Sequence, residues 1–417
     1  MYISKIYLEN IRCFKDLTLE LKQGSTPLLW ATILGDNAVG KSTILKCIAM
    51  GLCDETSAGA LMKESNGEFL RKGELSGKIE IYLNEKDSHK EKVISTTITK
   101  SNADSPERLR QDLPHDILPW EDIFFCGYGV HISEGGGEGF DKYKPLEAVY
   151  TLFKNGSDLQ NPEVIMLRQD KKFRTWLSDK LLEILMLEGY NIEYTNKGMF
   201  ITGPWGKFRI SELSDGYRNT AQWIVDFFGW AINADKLVNE GDEIEGILLL
   251  DELETHLHPK WQRYIVDRLR KQLPKVQFII TTHSPVIALG TSDLEEATII
   301  ELELETTENN VIHREVNPSD YKGLTVDQIL TSSAFKLPIA RSGNTGDTML
   351  AFRSLFMKDK RTPAEEEKLL ELKEKIKSDI PEAGESESDR KLRRELKETL
   401  KELNEKFHPK INDKTKT

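Results

Sequence analysis

Long apolar runs are missing from this 417-residue chain. No stretch of about 18 consecutive apolar residues occurs, so no membrane span is expected. Cysteine is scarce too. The four present (Cys13, Cys47, Cys53, Cys126) form no CxxC pair, which argues against a disulfide framework or a cysteine-bound metal and suits a reducing cytoplasm. Positive charge is in deficit. At a net charge of -12 and a pI near 5.4, the whole surface is not built to grip nucleic acid, which usually takes a basic protein. A local patch of Arg168, Lys171, Lys172 and Arg174 leaves a nucleic-acid partner open, although a solvated face explains it as simply. Signal-peptide layout is absent as well: MYISKIYLENIRCF alternates like a strand. No repeat of 20–50 residues is visible.

What is present is a soluble composition, 38% hydrophobic and 30% charged, with strands and helices in alternation. Residues 2–22 read as two strands around a turn near Cys13–Lys15. Residues 27–34 form an apolar strand entering a glycine-containing loop, followed by a helix from about Lys41 to Leu52. Residues 77–99 have the pattern of a hairpin, and Asp122–Tyr128 of a strand. The pattern is helical over about 145–190, and the glycine-rich 133–139 reads as a flexible loop. Strands are expected near Tyr190–Gly206, at Ile247–Leu250, Val276–Thr281 and Ala297–Leu304, with helices at about 215–234 and 259–272. This order predicts an α/β fold with a mostly parallel sheet. From Thr362 to Phe407 the chain is rich in Glu, Lys, Arg and Leu, opens with a capping box at Thr362 and Glu365, and reads as a helical hairpin broken at Pro381. The expected domains are a head over 1–330, with a helical insertion at about 145–190, and a helical partner-docking region over 331–417.

Four segments carry chemistry. Gly35-Asp36-Asn37-Ala38-Val39-Gly40-Lys41-Ser42, followed by Thr43, fits G-x4-G-K-[ST] between a strand and a helix. There backbone N–H groups and the helix N-terminus cradle phosphates, Lys41 reaches the β- and γ-phosphates, and Ser42 holds Mg²⁺. Ile247–Leu250 delivers Asp251 and Glu252 at the C-terminal end of an apolar strand. Asp251 suits Mg²⁺, and Glu252 suits polarising an attacking water. Leu213-Ser214-Asp215-Gly216 opens a helix, so Ser214 and Gly216 offer a hydroxyl and N–H groups to an anion. Because Lys41 already holds the γ-phosphate of its own chain, this motif makes sense as serving the nucleotide of a second copy. Thr281-Thr282-His283-Ser284-Pro285 places His283 after the next strand, able to bond the γ-phosphate or the water. His256 and His258 are spaced i,i+2, which puts no pair on one helix face. A dimer-contact loop explains them better than zinc.

This ordered set resembles the ABC-type ATPases of the RecF, SMC and OLD group over about 1–60 and 120–330. The resemblance implies an ABC-type P-loop ATPase head with an antiparallel β lobe beside the mostly parallel sheet. It also implies a loop at Arg12 to Phe14 near the adenine, Leu213–Arg218 as the signature, Asp251–Pro259 as Walker B and D-loop, and His283 as the switch histidine. Three departures stand out. Gly127-Tyr128-Gly129-Val130-His131 stands where the group's Q-loop glutamine is expected, no long coiled coil interrupts the chain, and no spaced acidic element after Glu315 suggests a nuclease domain. Tyr128-Gly129, Tyr150–Phe153, Leu159–Glu163 and Gly323–Leu330 look like compact bacterial members, of which the Septu and retron-associated ATPase subunits work beside a separate nuclease in phage defence. The expected protein is therefore a cytoplasmic, Mg-ATP-dependent homodimer or higher homo-oligomer that regulates a nuclease partner. One alternative is a DNA-repair sensor that clamps DNA itself. A transporter's nucleotide-binding subunit is disfavoured by the long Gly40–Ser214 spacing, and a scaffold without turnover by the complete acid pair.

Overall fold

The computed structural model describes residues 1–84, 91–137, 139–195, 198–204, 206–255, 257–305, 310–338, 343–358 and 360–379. Two compact units result, Met1–Phe335 and the residues from Lys336 onward. The first therefore ends five residues beyond the boundary expected at 330. Ala334 and Phe335 pack against a small core around Ile299, Tyr321 and Ile329, which keeps them with the head.

At the centre of the first unit is a six-stranded sheet. Its order is Asn310–Val316, Ala297–Glu305, Trp30–Gly35, Val276–Thr282, Gly246–Leu250 and Phe125–Tyr128. All neighbours run parallel except the first pair. Trp30–Gly35, Val276–Thr282 and Gly246–Leu250 are buried along their whole length, as strands covered on both faces must be. One face carries Ala31, Ile33, Leu249 and Ile279 into a core shared with the helix Lys41–Leu52 and an antiparallel sheet. The other carries Trp30, Leu248, Phe278 and Ile280 against the helices Lys171–Ile184, Asp215–Asn233 and Pro259–Gln272. The Trp30 and Phe278 rings pack tilted against each other across adjacent strands, with centroids 4.7 Å apart.

The antiparallel sheet orders Phe14–Glu20, Tyr2–Ile11, Ser76–Asn84, Glu91–Thr99 and Arg108–Asp112. A three-stranded antiparallel sheet, Asn191–Thr195, Gly198–Gly203 and Gly206–Arg209, leads into the segment Leu213–Arg218.

Two expectations fail in the middle of the chain. The glycine-rich segment is not a loop: Ile132–Gly137 is a strand paired in parallel with Ser157–Gln160. That second strand also interrupts the helical insertion, leaving separate helices Pro145–Val149, Pro162–Leu167 and Lys171–Ile184. Among the described residues no helix is long and apolar enough to cross a membrane.

In the second unit the helices are Gly343–Phe356 and Pro363–Asp379. The capping box forms, with the Thr362 N–H donating to Glu365 Oε2 at 2.9 Å and the Glu365 N–H to Thr362 Oγ1 at 3.3 Å. The expected second arm of the hairpin lies outside the described residues.

Candidate active site

The strand Trp30–Gly35 ends under the loop, and the helix Lys41–Leu52 begins with Gly40 as its N-cap. Gly40 has φ 96, and a Cβ there would fall 2.5 Å from Cys13 Sγ and 2.6 Å from Phe14 Cζ. No other residue fits that conformation and that approach. No side chain caps the helix, so its first N–H groups face the loop, where Asp36, Asn37 and Ala38 are exposed and Val39 is buried. The Lys41 ammonium donates to the carbonyls of Gly35 and Asp36, each at 2.9 Å. Burial pulls its pKa below the ordinary lysine value, opposed by the charges of Glu252, Asp251, Glu254 and Asp36. Thr43 is buried beneath the loop.

Across the sheet, Gly246–Leu250 delivers its two acids. Ser42 Oγ donates to Asp251 Oδ1 at 3.0 Å, joining residues 209 positions apart. The same oxygen accepts Thr281 Oγ1 at 2.6 Å. Burial raises the Asp251 pKa, against the lowering effect of those two hydroxyls. Glu252 has φ 49, a left-handed conformation that costs a non-glycine residue about 1–3 kcal/mol. Its N–H donates to Thr281 Oγ1 at 2.8 Å, and its carboxylate accepts Thr255 Oγ1 at 3.3 Å. This turn sends Glu252 away from Asp251 and toward His283, whose Nε2 lies 4.0 Å from Glu252 Oε1. His283 is held from behind: its N–H donates to Glu254 Oε1 at 2.5 Å, and Thr282 Oγ1 donates to Glu254 Oε2 at 2.6 Å. Burial raises the pKa of Glu254.

Lys41, Ser42, Asp251, Glu252 and His283 thus converge on one end of the central sheet. Ser42 and Asp251 offer hard oxygen donors of the kind Mg²⁺ takes. Thr281 and Glu254 were not singled out as functional from the sequence. Their signal is weak but real: Thr281 and Thr282 put two hydroxyls at the end of an apolar strand, in register beside the acid-ended one.

Ser214 and Gly216 sit apart from these residues. Ser214 is the exposed N-cap of the helix Asp215–Asn233 and makes no side-chain capping bond. Ser214 and Gly216 line a cavity of about 580 Å³ with Tyr217, His258, Trp261 and Arg268, and no residue of the phosphate loop is among its walls. Tyr217 and Trp261 meet edge to face with ring centroids 3.9 Å apart. His258 caps the next helix by accepting the Lys260 N–H at 3.2 Å, while His256 lies outside the described residues.

The loop expected near an adenine divides. Arg12 lies over the Phe69 ring at 4.3 Å and donates to Ser65 Oγ at 3.0 Å and to the Glu68 carbonyl at 3.1 Å. Phe14 is fully buried. It begins a strand whose inward residues Phe14, Leu17 and Leu19 are buried, and its ring backs Gly40.

A family model described as "AAA domain" matches residues 5–196, and another described as "AAA domain, putative AbiEii toxin, Type IV TA system" matches residues 141–289. Together they take in the phosphate loop, the signature and the acid pair. These matches, with the geometry above, make the chain similar to ABC-like ATPases of the RecF, SMC and OLD type. Within that class its sequence is similar to the Septu protein PtuA of Bacillus mycoides (strain KBAB4), at 28% identity over 81% of this chain and 45% of that protein. The retron Vc95 probable ATPase of Vibrio cholerae serotype O1 biovar El Tor is 51% identical over 35% of this chain and 28% of that protein. The chain spans less than half the length of these curated relatives. Among solved structures, the SMC head domain from Thermotoga maritima superposes at a TM-score of 0.45 and 13% identity, over 76% of this chain and 99% of that one.

Proposed function

We propose that this chain hydrolyses ATP in composite sites formed by two copies arranged head to tail, and that this cycle regulates a separately encoded effector, a nuclease, in defence against phage. The observation that carries the catalytic part is the meeting of Ser42 with Asp251 at 3.0 Å, with Glu252 and His283 beside them. In each site Lys41 and the N–H groups of the loop hold phosphate oxygens. Mg²⁺ bound through Ser42 and Asp251 would neutralise charge on the phosphates. Glu252 orients a water and takes its proton, and His283, locked by Glu254, completes the contacts to the γ-phosphate.

The two-copy arrangement is supported by the position of Ser214 and Gly216. They open a 19-residue helix without a side-chain cap, on a cavity that contains none of their own chain's phosphate loop. Ser214 and Gly216 would therefore complete the site of the other copy. The effector and the defence role are supported by the similarity to PtuA and the retron ATPase. The second unit, with Leu350, Phe356, Met357 and Leu370 exposed, offers the docking surface for that effector.

Glu252→Gln tests the catalytic part, since it keeps shape and removes the base. ATP affinity should stay within about threefold, turnover should fall by about 100-fold or more, and the protein should accumulate as an ATP-bound dimer. Wild-type turnover in this variant would refute the assignment. Mass spectrometry of what co-purifies with it, expressed from its own genomic neighbourhood, tests the effector: a stoichiometric nuclease is expected, and a bare dimer would argue against one.

A further inference from the structure

Asp226 sits in the body of the signature helix and is 1% exposed. Its two oxygens are taken by two different elements. The Tyr128 hydroxyl donates to Oδ2 at 2.7 Å, and the N–H of Gln160, last residue of Ser157–Gln160, donates to Oδ1 at 2.9 Å. Tyr128 is itself the last residue of the strand beside Gly246–Leu250, paired with Leu250. Its carbonyl accepts the N–H of Asp251 at 2.9 Å. One residue therefore grips the main chain of the Walker B acid with its backbone and the signature helix with its side chain. Two hydrogen bonds span the whole path.

Ordinary packing does not call for this arrangement. Trp223 and Phe227 already fill the contact around it with apolar surface, and burying a carboxylate costs free energy unless its lone pairs are matched. What the pair adds over an apolar contact is direction and register. The leverage is large. Asp226 lies about 18 Å along the helix axis from Ser214 at 1.5 Å per residue, so a tilt of about 5° at Asp226 moves Ser214 by roughly 1.5 Å. That displacement is enough to make or break a hydrogen bond to a phosphate oxygen.

We infer that Tyr128 and Asp226 are positioning residues, whose hydrogen bond keys the tilt of the signature helix to the seating of Asp251 and so governs whether Ser214 and Gly216 can complete the other copy's site. The inference rests on the two-copy reading above. Tyr128→Phe removes one oxygen and keeps the ring, whose centroid lies 5.8 Å from that of Trp223. Asp226→Asn is nearly isosteric, but its amide nitrogen must face one of two hydrogen-bond donors.

The experiment compares wild type, both single variants and the double variant in thermal melting, ATP affinity of the isolated copy, and turnover. It also measures, in the Glu252→Gln background, the ATP concentration that half-assembles the dimer. Tyr128→Phe should leave ATP affinity within twofold, lower kcat tenfold or more and raise the half-assembly concentration about tenfold. The double variant should be no worse than the poorer single one, because both cut the same link. Wild-type turnover and assembly in Tyr128→Phe would overturn the inference. So would losses that add across the two positions or merely track the melting temperature, and so would failure of both single variants to fold. Absence of turnover in wild type would instead sink the reading of function, so the two failures are separable.

Discussion

Thr281→Val isolates one hydroxyl that serves both acids. Thr281 is fully buried, donates to Asp251 Oδ1 at 2.6 Å and accepts from the Glu252 N–H at 2.8 Å. Valine keeps the shape and removes both bonds. Loss of a hydrogen bond to a charged group costs about 1.5–3 kcal/mol, and a buried N–H left unpaired about 1–3 kcal/mol. Set against the small gain from burying one more methyl, the net loss should be about 2–4 kcal/mol. A 335-residue unit has an unfolding entropy of roughly 0.7 kcal/mol/K at ~2.1 cal/mol/K per residue, so its Tm should fall by about 3–6 °C. The Glu252 turn has φ 49 and relies on this bond, so turnover should fall further than stability suggests, by about tenfold or more. Thr281→Ser keeps the hydroxyl and should restore most of the turnover. Tm by tryptophan fluorescence and steady-state ATPase rates provide the test. A Thr281→Val protein with unchanged Tm and turnover, or a serine variant as impaired as valine, would refute the reasoning.

Other perturbations have equally definite outcomes. Gly40→Ala should destabilise the head by about 2–5 kcal/mol, because it combines a left-handed φ with a Cβ 2.5 Å from Cys13 Sγ, and it should abolish ATP binding in an equilibrium assay. Burial raises the Asp226 pKa from 3.8 to about 6. A raised folded pKa means that the protonated form is favoured in the folded state. Its contribution is fully present below about 4 and is lost as pH rises through about 6. The span corresponds to about 3 kcal/mol at 1.36 kcal/mol per unit. Asp226→Asn should flatten that part of the stability profile between pH 4 and 7, and a profile unchanged by the substitution would contradict the assignment.

Much of the candidate site is legible in the sequence because its motifs are local. G-x4-G-K-S is contiguous, and its strand and helix flank it within twenty residues. Asp251 and Glu252 follow a short apolar run that reads as a buried strand. Thr281 lies on the neighbouring strand, so its role follows only from the parallel register that sets Leu250 beside Ile280. The Tyr128–Asp226 link joins residues 98 positions apart and leaves no local trace. Ile132–Gly137 was misjudged because glycine gives no side-chain alternation, while its pairing with Ser157–Gln160 uses backbone alone. The full burial of Phe14 follows from strand alternation that the sequence itself carries.

The composite site can be tested most directly by mixing two inactive proteins. Lys41→Ala destroys the phosphate loop, and Ser214→Arg blocks the signature. If Ser214 completes the other copy's site, each variant alone is inactive. Equal mixing should then make half the dimers mixed, each with one intact site of two, and restore roughly a quarter of wild-type ATPase activity. Absence of recovery in mixtures shown to exchange subunits, or full activity of Ser214→Arg by itself, would contradict the two-copy site.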